Sequence, residues 1–201
     1  MEPLAVISAQ TASLTIAVFD AATATAWVHT KAAATKAQFT GHPAEVMRGL
    51  GTGDEVAPID VGASNGFAFE LEGTSGKLAI YRIDDRTLAL VAPPRAWWDD
   101  PRADGLFADA LNLAALDDAE PIGELECTSG RLAAVYIWHH KVGLAQSLVP
   151  PAGGATTFGD GYGGDSGVVV DIGAGTHRLL KRELAAAWDE TRALTVMYLA
   201  R

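Results

Sequence analysis

Ser166 is the residue whose surroundings best fit a catalytic nucleophile, in the stretch GYGGDSGVVV at 161–170. A serine hydroxyl attacks a substrate only when a base within hydrogen-bond reach removes its proton and a third group orients that base. His42 precedes Ser166 in the chain as a possible base, and Asp84 or Asp85 could orient it. These residue types would support a serine hydrolase.

Gly164-Asp165-Ser166-Gly167 resembles the tetrapeptide around the nucleophile of trypsin-like serine proteases, and the order His, Asp, Ser is also that family's order. The resemblance implies Ser166 as nucleophile and His42 as base. The chain departs from the family pattern because Val168-Val169 follow the motif in place of glycine and proline, and because His42 lacks the Ala-Ala-His-Cys context. A serine hydrolase is therefore kept as the alternative interpretation.

Composition argues for another kind of protein. The net charge is -10, so the surface should repel phosphate backbones and anionic lipid, and we expect neither nucleic acid nor membrane as a partner. The histidines lack metal-ligand spacing, and we predict no metal and no cofactor. Cys127 is the only cysteine, which favours a reducing compartment. With an acidic residue where a signal peptide would be basic, the expectation is a soluble cytoplasmic protein.

An internal repeat is the most specific pattern in the sequence. ELEGTSGKLA at 70–79 returns as ELECTSGRLA at 124–133, with eight of ten positions identical. Each copy places turn-forming residues between strand-like runs, and each turn ends in a glycine that tolerates positive φ. We interpret the copies as duplicated β-hairpins with cores at 67–83 and 122–137. Ser166-Gly167 before Val168 has the same layout, which favours a turn serine.

The remaining segments predict few helices. Short helices are expected over 43–50 and 104–116, and a strand over 194–199, whereas 176–191 suits either helix or strand. The sequence therefore predicts a single β-rich domain over 1–201, mainly antiparallel with α+β possible. Its duplicated hairpins would form a sandwich or an open barrel with one to three short helices.

Arg95, Trp97 and Trp98 form the candidate partner-binding site, in the proline-flanked, acidic-tailed stretch VAPPRAWWDD at 91–100. In an extended segment one ring would turn inward and the other outward, and an exposed Trp beside an Arg is typical of binding hot spots. Without a converging catalytic set, we predict a non-catalytic protein that acts by protein–protein contact. It would neutralise or regulate a basic partner, as toxin-immunity proteins do. A small-ligand-binding β-barrel with both tryptophans at its mouth is a second alternative.

Overall fold

The computed structural model describes residues 1–8, 14–28, 41–50, 56–71, 76–159 and 165–201. The strands are β1 (Ala5–Ser8), β2 (Leu14–Asp20), β3 (Val56–Val61), β4 (Ser64–Leu71), β5 (Lys77–Asp84), β6 (Thr87–Ala92), β7 (Glu120–Cys127), β8 (Arg131–Tyr136), β9 (Ala155–Phe158), β10 (Gly167–Asp171), β11 (Gly175–Ala186) and β12 (Asp189–Ala200). The α-helices are α1 (His42–Leu50) and α2 (Asp104–Ala110). Short 3-10 helices lie at Ala21–Ala26, Arg95–Trp97, Pro101–Ala103, Leu113–Asp118 and Val142–Ser147.

The strands form two antiparallel six-stranded sheets. Sheet I has the order β1-β5-β6-β12-β11-β7, and sheet II has the order β3-β4-β2-β8-β10-β9. The prediction of a β-rich, antiparallel, sandwich-like fold with few short helices is confirmed. No helix among the described residues has the length and apolar character needed to span a bilayer.

Apolar side chains fill the space between the sheets and also cover the outer face of each sheet. The central cluster combines residues of both sheets, such as Phe69 and Val168 of sheet II with Ile80 and Leu199 of sheet I. Ala68, which lies between Phe67 and Phe69 of the central cluster along β4, is also fully buried. Ala68 belongs to the second cluster, in which the outer face of sheet II packs against α1 and neighbouring 3-10 helices. Small side chains on this face let the helices approach closely.

Both repeated segments are strand–turn–strand units, but neither is a hairpin, so that part of the prediction is wrong. β4 lies in sheet II and β5 in sheet I, while β7 lies in sheet I and β8 in sheet II. Each unit is an arch that carries the chain from one sheet to the other. Gly76 and Gly130 end the two turns with φ of 69° and 73°, the left-handed conformation expected for them. The rest of the first turn lies outside the described residues.

The strand order relates the first six strands to the last six, and this symmetry differs from the one that the sequence repeat suggests. In sheet I, β1-β5-β6 are followed by the strands that come six places later in the chain, in reverse order: β12-β11-β7. In sheet II, β3-β4-β2 are followed in the same way by β8-β10-β9. By this symmetry the counterpart of the β4–β5 arch is the β10–β11 arch, whereas by the sequence repeat its counterpart is the β7–β8 arch. The origin of the repeat by duplication stays an interpretation.

The other local predictions agree with the structure. The helix predicted over 43–50 is α1, and the segment 104–116 begins as α2 and continues in the 3-10 helix Leu113–Asp118. The ambiguous segment 176–191 is strand, because β11 and β12 pair through Leu184 and Leu194 up to a tight turn. Leu180 and Leu184 are both buried on the outer face of sheet I, which shows that their spacing of four fits a strand period of two as well as a helix.

Candidate functional site

The connection between β6 and β7 carries the candidate site. This connecting segment (93–119) packs on the outer face of sheet I through buried alanines such as Ala103 and Ala110. The hydroxyl of Tyr198 on β12 donates to the carbonyl of Ala110 at 2.9 Å. Arg182 of β11 forms ion pairs with Asp109 and Asp118 at 3.4 and 3.6 Å. Strands of sheet I thus hold α2 and the following 3-10 helix in place.

Trp97 is the inward member of the tryptophan pair. Its side chain is 2% exposed, and its indole Nε1 donates to Asp189 Oδ2 at 3.1 Å. Its ring also lies 5.8 Å from that of Trp188, at the tip of the β11–β12 hairpin. The local backbone is the 3-10 helix Arg95–Trp97, not the extended segment considered from the sequence. Trp97 therefore anchors the connecting segment, and Trp98 is the member that a partner could reach.

Trp98 is half-buried and lines an open groove of about 400 Å³. The groove lies between sheet I, represented by Tyr81 of β5, and the connecting segment. Its lining residues are Met1, Tyr81, Trp98, Asp104, Phe107, Ala108 and Leu111. Burial raises the pKa of Tyr81, so this ring keeps its neutral hydroxyl at physiological pH. The groove thus brings three aromatic rings together with one carboxylate.

The electrostatics of the groove are dominated by carboxylates. The connecting segment holds six aspartates and two arginines, a net charge of -4 in 27 residues out of -10 for the whole chain. Asp104, exposed at the start of α2, lines the groove itself. The ammonium of Lys77 lies 5.2 Å from the centroid of the Trp98 ring, at cation–π distance. The site is therefore aromatic in its lining and acidic in its surroundings.

The predicted catalytic residues are not brought together. His42 Nδ1 accepts from the backbone N–H of Val28 at 2.8 Å, and its Nε2 lies 2.9 Å from the carbonyl of Asp60 on β3. Ser166 directly precedes β10, four strand positions away from β3 in sheet II. At about 4.8 Å per strand this separation is roughly 19 Å, far beyond hydrogen-bond reach. Both ring nitrogens of His42 are engaged in holding the backbone.

Asp84 lies in the other sheet, at the end of β5. Its Oδ1 accepts from the backbone N–H of Arg86 at 2.8 Å, which closes the β5–β6 turn, while Asp85 is exposed in that turn. Ser166 itself is 5% exposed, and its backbone carbonyl accepts from the N–H of Tyr136. The structure therefore gives Asp84 a turn-closing role and places Ser166 directly before a strand. Residues 160–164, which would complete a turn before Ser166, lie outside the described residues, so the turn-serine interpretation stays a prediction.

The ligand-binding-barrel alternative requires both tryptophans at the mouth of a barrel, and the structure places them elsewhere. Trp97 and Trp98 lie with the connecting segment on the outer face of sheet I, and the space between the sheets is filled by apolar side chains. His42, His139 and His177 are buried. Among the described residues, no cluster of three or more acidic, histidine or cysteine side chains could hold a metal ion.

Sequence reasoning missed a buried carboxylate. Asp20 is fully buried at the end of β2 and accepts from the backbone N–H groups of Thr128 and Ser129 at 2.7 and 3.0 Å. The hydroxyls of both residues and the N–H of Ala22 also donate to it. Burial raises the pKa of Asp20, but the hydrogen bonds from Ser129, Ala22 and Thr128 outweigh it and lower the pKa. Asp20 thus fixes the turn of the second arch. An aspartate ending the apolar run LTIAVFD was the available signal.

Cys127 borders the same turn and is fully buried. Burial, and then the charge of Asp20, raise the pKa of its thiol to about 12. The thiol is therefore protonated at neutral pH and lacks the thiolate that a nucleophile requires. Its counterpart in the other copy of the repeat is Gly73, so the repeated sequence does not require a thiol at this position.

Tyr81, Asp104 and Phe107 were not singled out from the sequence, although they complete the groove around Trp98. Phe107 was expected on a helix, but its approach to Trp98 depends on how α2 lies on sheet I. Comparison with known protein families, with curated proteins and with solved structures finds no match for this chain.

Proposed function

We propose that this chain is a non-catalytic binding protein that neutralises or regulates a basic protein partner through the groove at Trp98. The observation that carries the proposal is an open groove of about 400 Å³ lined by Tyr81, Trp98 and Phe107 on an acidic segment. Of these aromatic residues Tyr81 is buried, while Trp98 and Phe107 are half-buried. Aromatic side chains in a pocket with charged surroundings have the composition of interface hot spots. The sequence prediction had named Arg95, Trp97 and Trp98, and Trp98 is its member in the groove.

The rigidity of the site favours binding by a preformed surface. Trp97 fixes the segment next to Trp98 through the hydrogen bond to Asp189, and Tyr198 fixes α2 through the carbonyl of Ala110. A surface that is ordered before association loses less conformational entropy on binding, which leaves more of the contact energy as affinity.

The charge favours a basic partner. A net charge of -10 accelerates encounter with a positively charged protein and suppresses association with acidic ones. A small acidic protein that occupies a basic surface is the physical arrangement of an inhibitor such as a toxin-immunity protein. The proposal includes a cytoplasmic location, in keeping with the single buried thiol of Cys127.

The test is an affinity purification of the tagged protein from its native lysate, read by mass spectrometry, with wild type, Trp98→Ala and Leu113→Ala compared. Leu113 is the matched control because it is 45% exposed on the same segment and does not line the groove. We expect a stoichiometric basic partner that is retained by Leu113→Ala and lost by Trp98→Ala, with the thermal melting of each variant measured to confirm folding.

The purified partner is then titrated into each protein by calorimetry. We expect Trp98→Ala to raise Kd about thirtyfold, corresponding to the roughly 2 kcal/mol of a hot-spot aromatic residue. A partner that binds wild type and Trp98→Ala equally well would remove the groove from the interface. A complex whose Kd does not rise with salt would contradict the charge argument.

A further inference from the structure

We propose that the groove takes up the positively charged end of a lysine or arginine side chain of the partner. This inference rests on the proposed function and specifies what the groove recognises. The occupant follows from the lining, in which the aromatic side chains of Tyr81, Trp98 and Phe107 accompany the carboxylate of Asp104. The face of an aromatic ring carries a partial negative charge, so rings and carboxylate favour the same kind of group.

Contacts between a cation and an aromatic ring already occur within the protein. The ammonium of Lys77 lies 5.2 Å from the centroid of the Trp98 ring, and the guanidinium of Arg102 lies 5.6 Å from that of the Trp188 ring. Both distances are within the roughly 6 Å at which a cation is attracted to a ring. Two cation–π contacts therefore involve residues of the connecting segment.

The surrounding charge favours a cation over an apolar side chain. The connecting segment has a net charge of -4, and Asp104 is exposed beside the rings. An apolar occupant would displace water from this carboxylate without replacing the lost hydrogen bonds, which costs free energy. An ammonium or guanidinium group would replace them with a charge-assisted hydrogen bond.

Lys77 carries a positive charge that would oppose a bound cation. Its ammonium lies 5.2 Å from the centroid of the Trp98 ring, so it competes with an incoming cation for the ring and repels it. Replacement by methionine keeps an unbranched chain of similar length but removes the charge. Lys77→Met should therefore strengthen the binding of a cation, whereas an apolar occupant would gain only from a more apolar rim.

The experiment titrates the protein with Nα-acetyl-lysine methylamide and with Nα-acetyl-norleucine methylamide, which lacks only the terminal amino group. Binding is followed by the indole N–H resonances in NMR spectra. We expect the lysine compound to shift the Trp98 resonance with millimolar affinity and the norleucine compound to leave it unchanged. Asp104→Asn should weaken the lysine compound about threefold, in the range of an exposed ion pair. Lys77→Met should tighten it about twofold.

Asp117→Asn is the matched control for charge, because Asp117 is exposed on the same segment and does not line the groove. We expect it to change the affinity far less than Asp104→Asn. Equal losses of affinity in the two variants would overturn a specific cation site at Asp104 and leave only a general electrostatic attraction to the acidic segment.

The two proposals fail separately. Equal shifts from the lysine and norleucine compounds would overturn cation recognition and leave an apolar contact site. An unshifted Trp98 resonance with both compounds would overturn it as well, while a partner lost by Trp98→Ala would still support the proposed function. A lysine-specific shift without any partner in the lysate would support the cation site and count against the proposed function.

Discussion

Replacing Asp20 by asparagine should destabilise the protein strongly, because every group around its carboxylate is a hydrogen-bond donor. Oδ1 accepts from Ala22 N–H and the Ser129 hydroxyl, and Oδ2 accepts from the N–H groups of Thr128 and Ser129 and the Thr128 hydroxyl. The amide group of an asparagine must face one of these two sets. In either orientation at least one backbone N–H meets another donor and loses its partner.

The magnitude follows from these contacts. Losing a hydrogen bond to a charged acceptor costs about 1.5–3 kcal/mol, and leaving a buried N–H without a partner costs about 1–3 kcal/mol more. We therefore expect Asp20→Asn to lower the free energy of unfolding by about 3–5 kcal/mol near pH 7. Asp85→Asn, at an exposed turn position, serves as the control and should change it by less than about 0.5 kcal/mol.

The pH dependence gives an independent check. The folded-state pKa of Asp20 lies below its ordinary value of 3.8, so its contribution is present above that value and is lost as the pH falls through the folded pKa. Urea unfolding followed by circular dichroism should thus show a gap between wild type and Asp20→Asn that narrows under acidic conditions. A gap smaller than about 1 kcal/mol near neutral pH, or one that stays constant into acid, would refute the reasoning.

Two further predictions concern the tryptophan pair of the candidate site and His177 of β11. Trp97→Ala should lower the free energy of unfolding by about 3–5 kcal/mol in urea titrations and Trp98→Ala by less than about 2, because only Trp97 is fully packed; equal losses would contradict this. Burial lowers the pKa of His177, so its NMR titration midpoint should lie below 6.5. Stability should then fall as the pH drops below 6.5, more in wild type than in His177→Asn, and a midpoint above 6.5 would contradict the assignment.

Local sequence patterns predicted which segments form strands and helices better than they predicted which strands pair with each other. Local patterns were sufficient for the strands expected within 67–83, 122–137 and 194–199 and for the helix expected over 43–50, since these depend on neighbouring residues. The repeated turn predicted Gly76 and Gly130 correctly but not the arches. A tight turn fits both a hairpin and an arch, and the choice depends on pairing such as β4 with β2, which joins residues far apart in the chain.

The candidate site was predicted in part for the same reason. The sequence pointed to the two tryptophans, and the inward position of Trp97 depends on Asp189, which is 92 residues away. Tyr81 and Phe107 meet at the groove only because α2 lies across sheet I. Asp20 and Thr128, 108 residues apart, are brought together by the packing of β2 beside β8.

The symmetric strand order bears on how this protein could evolve. Each sheet is completed by joining three strands of one half to three of the other, at the pairs β6–β12 and β2–β8. Two separate six-stranded chains related by a two-fold axis would give the same order, so the sheets do not require a covalent connection between β6 and β7. The strand pairing consequently does not fix the length of that connection, whereas its buried residues, such as Ala103 and Ala110, must still cover the outer face of sheet I. Mutation could reshape the acidic segment and its groove for new partners while the twelve strands stay unchanged.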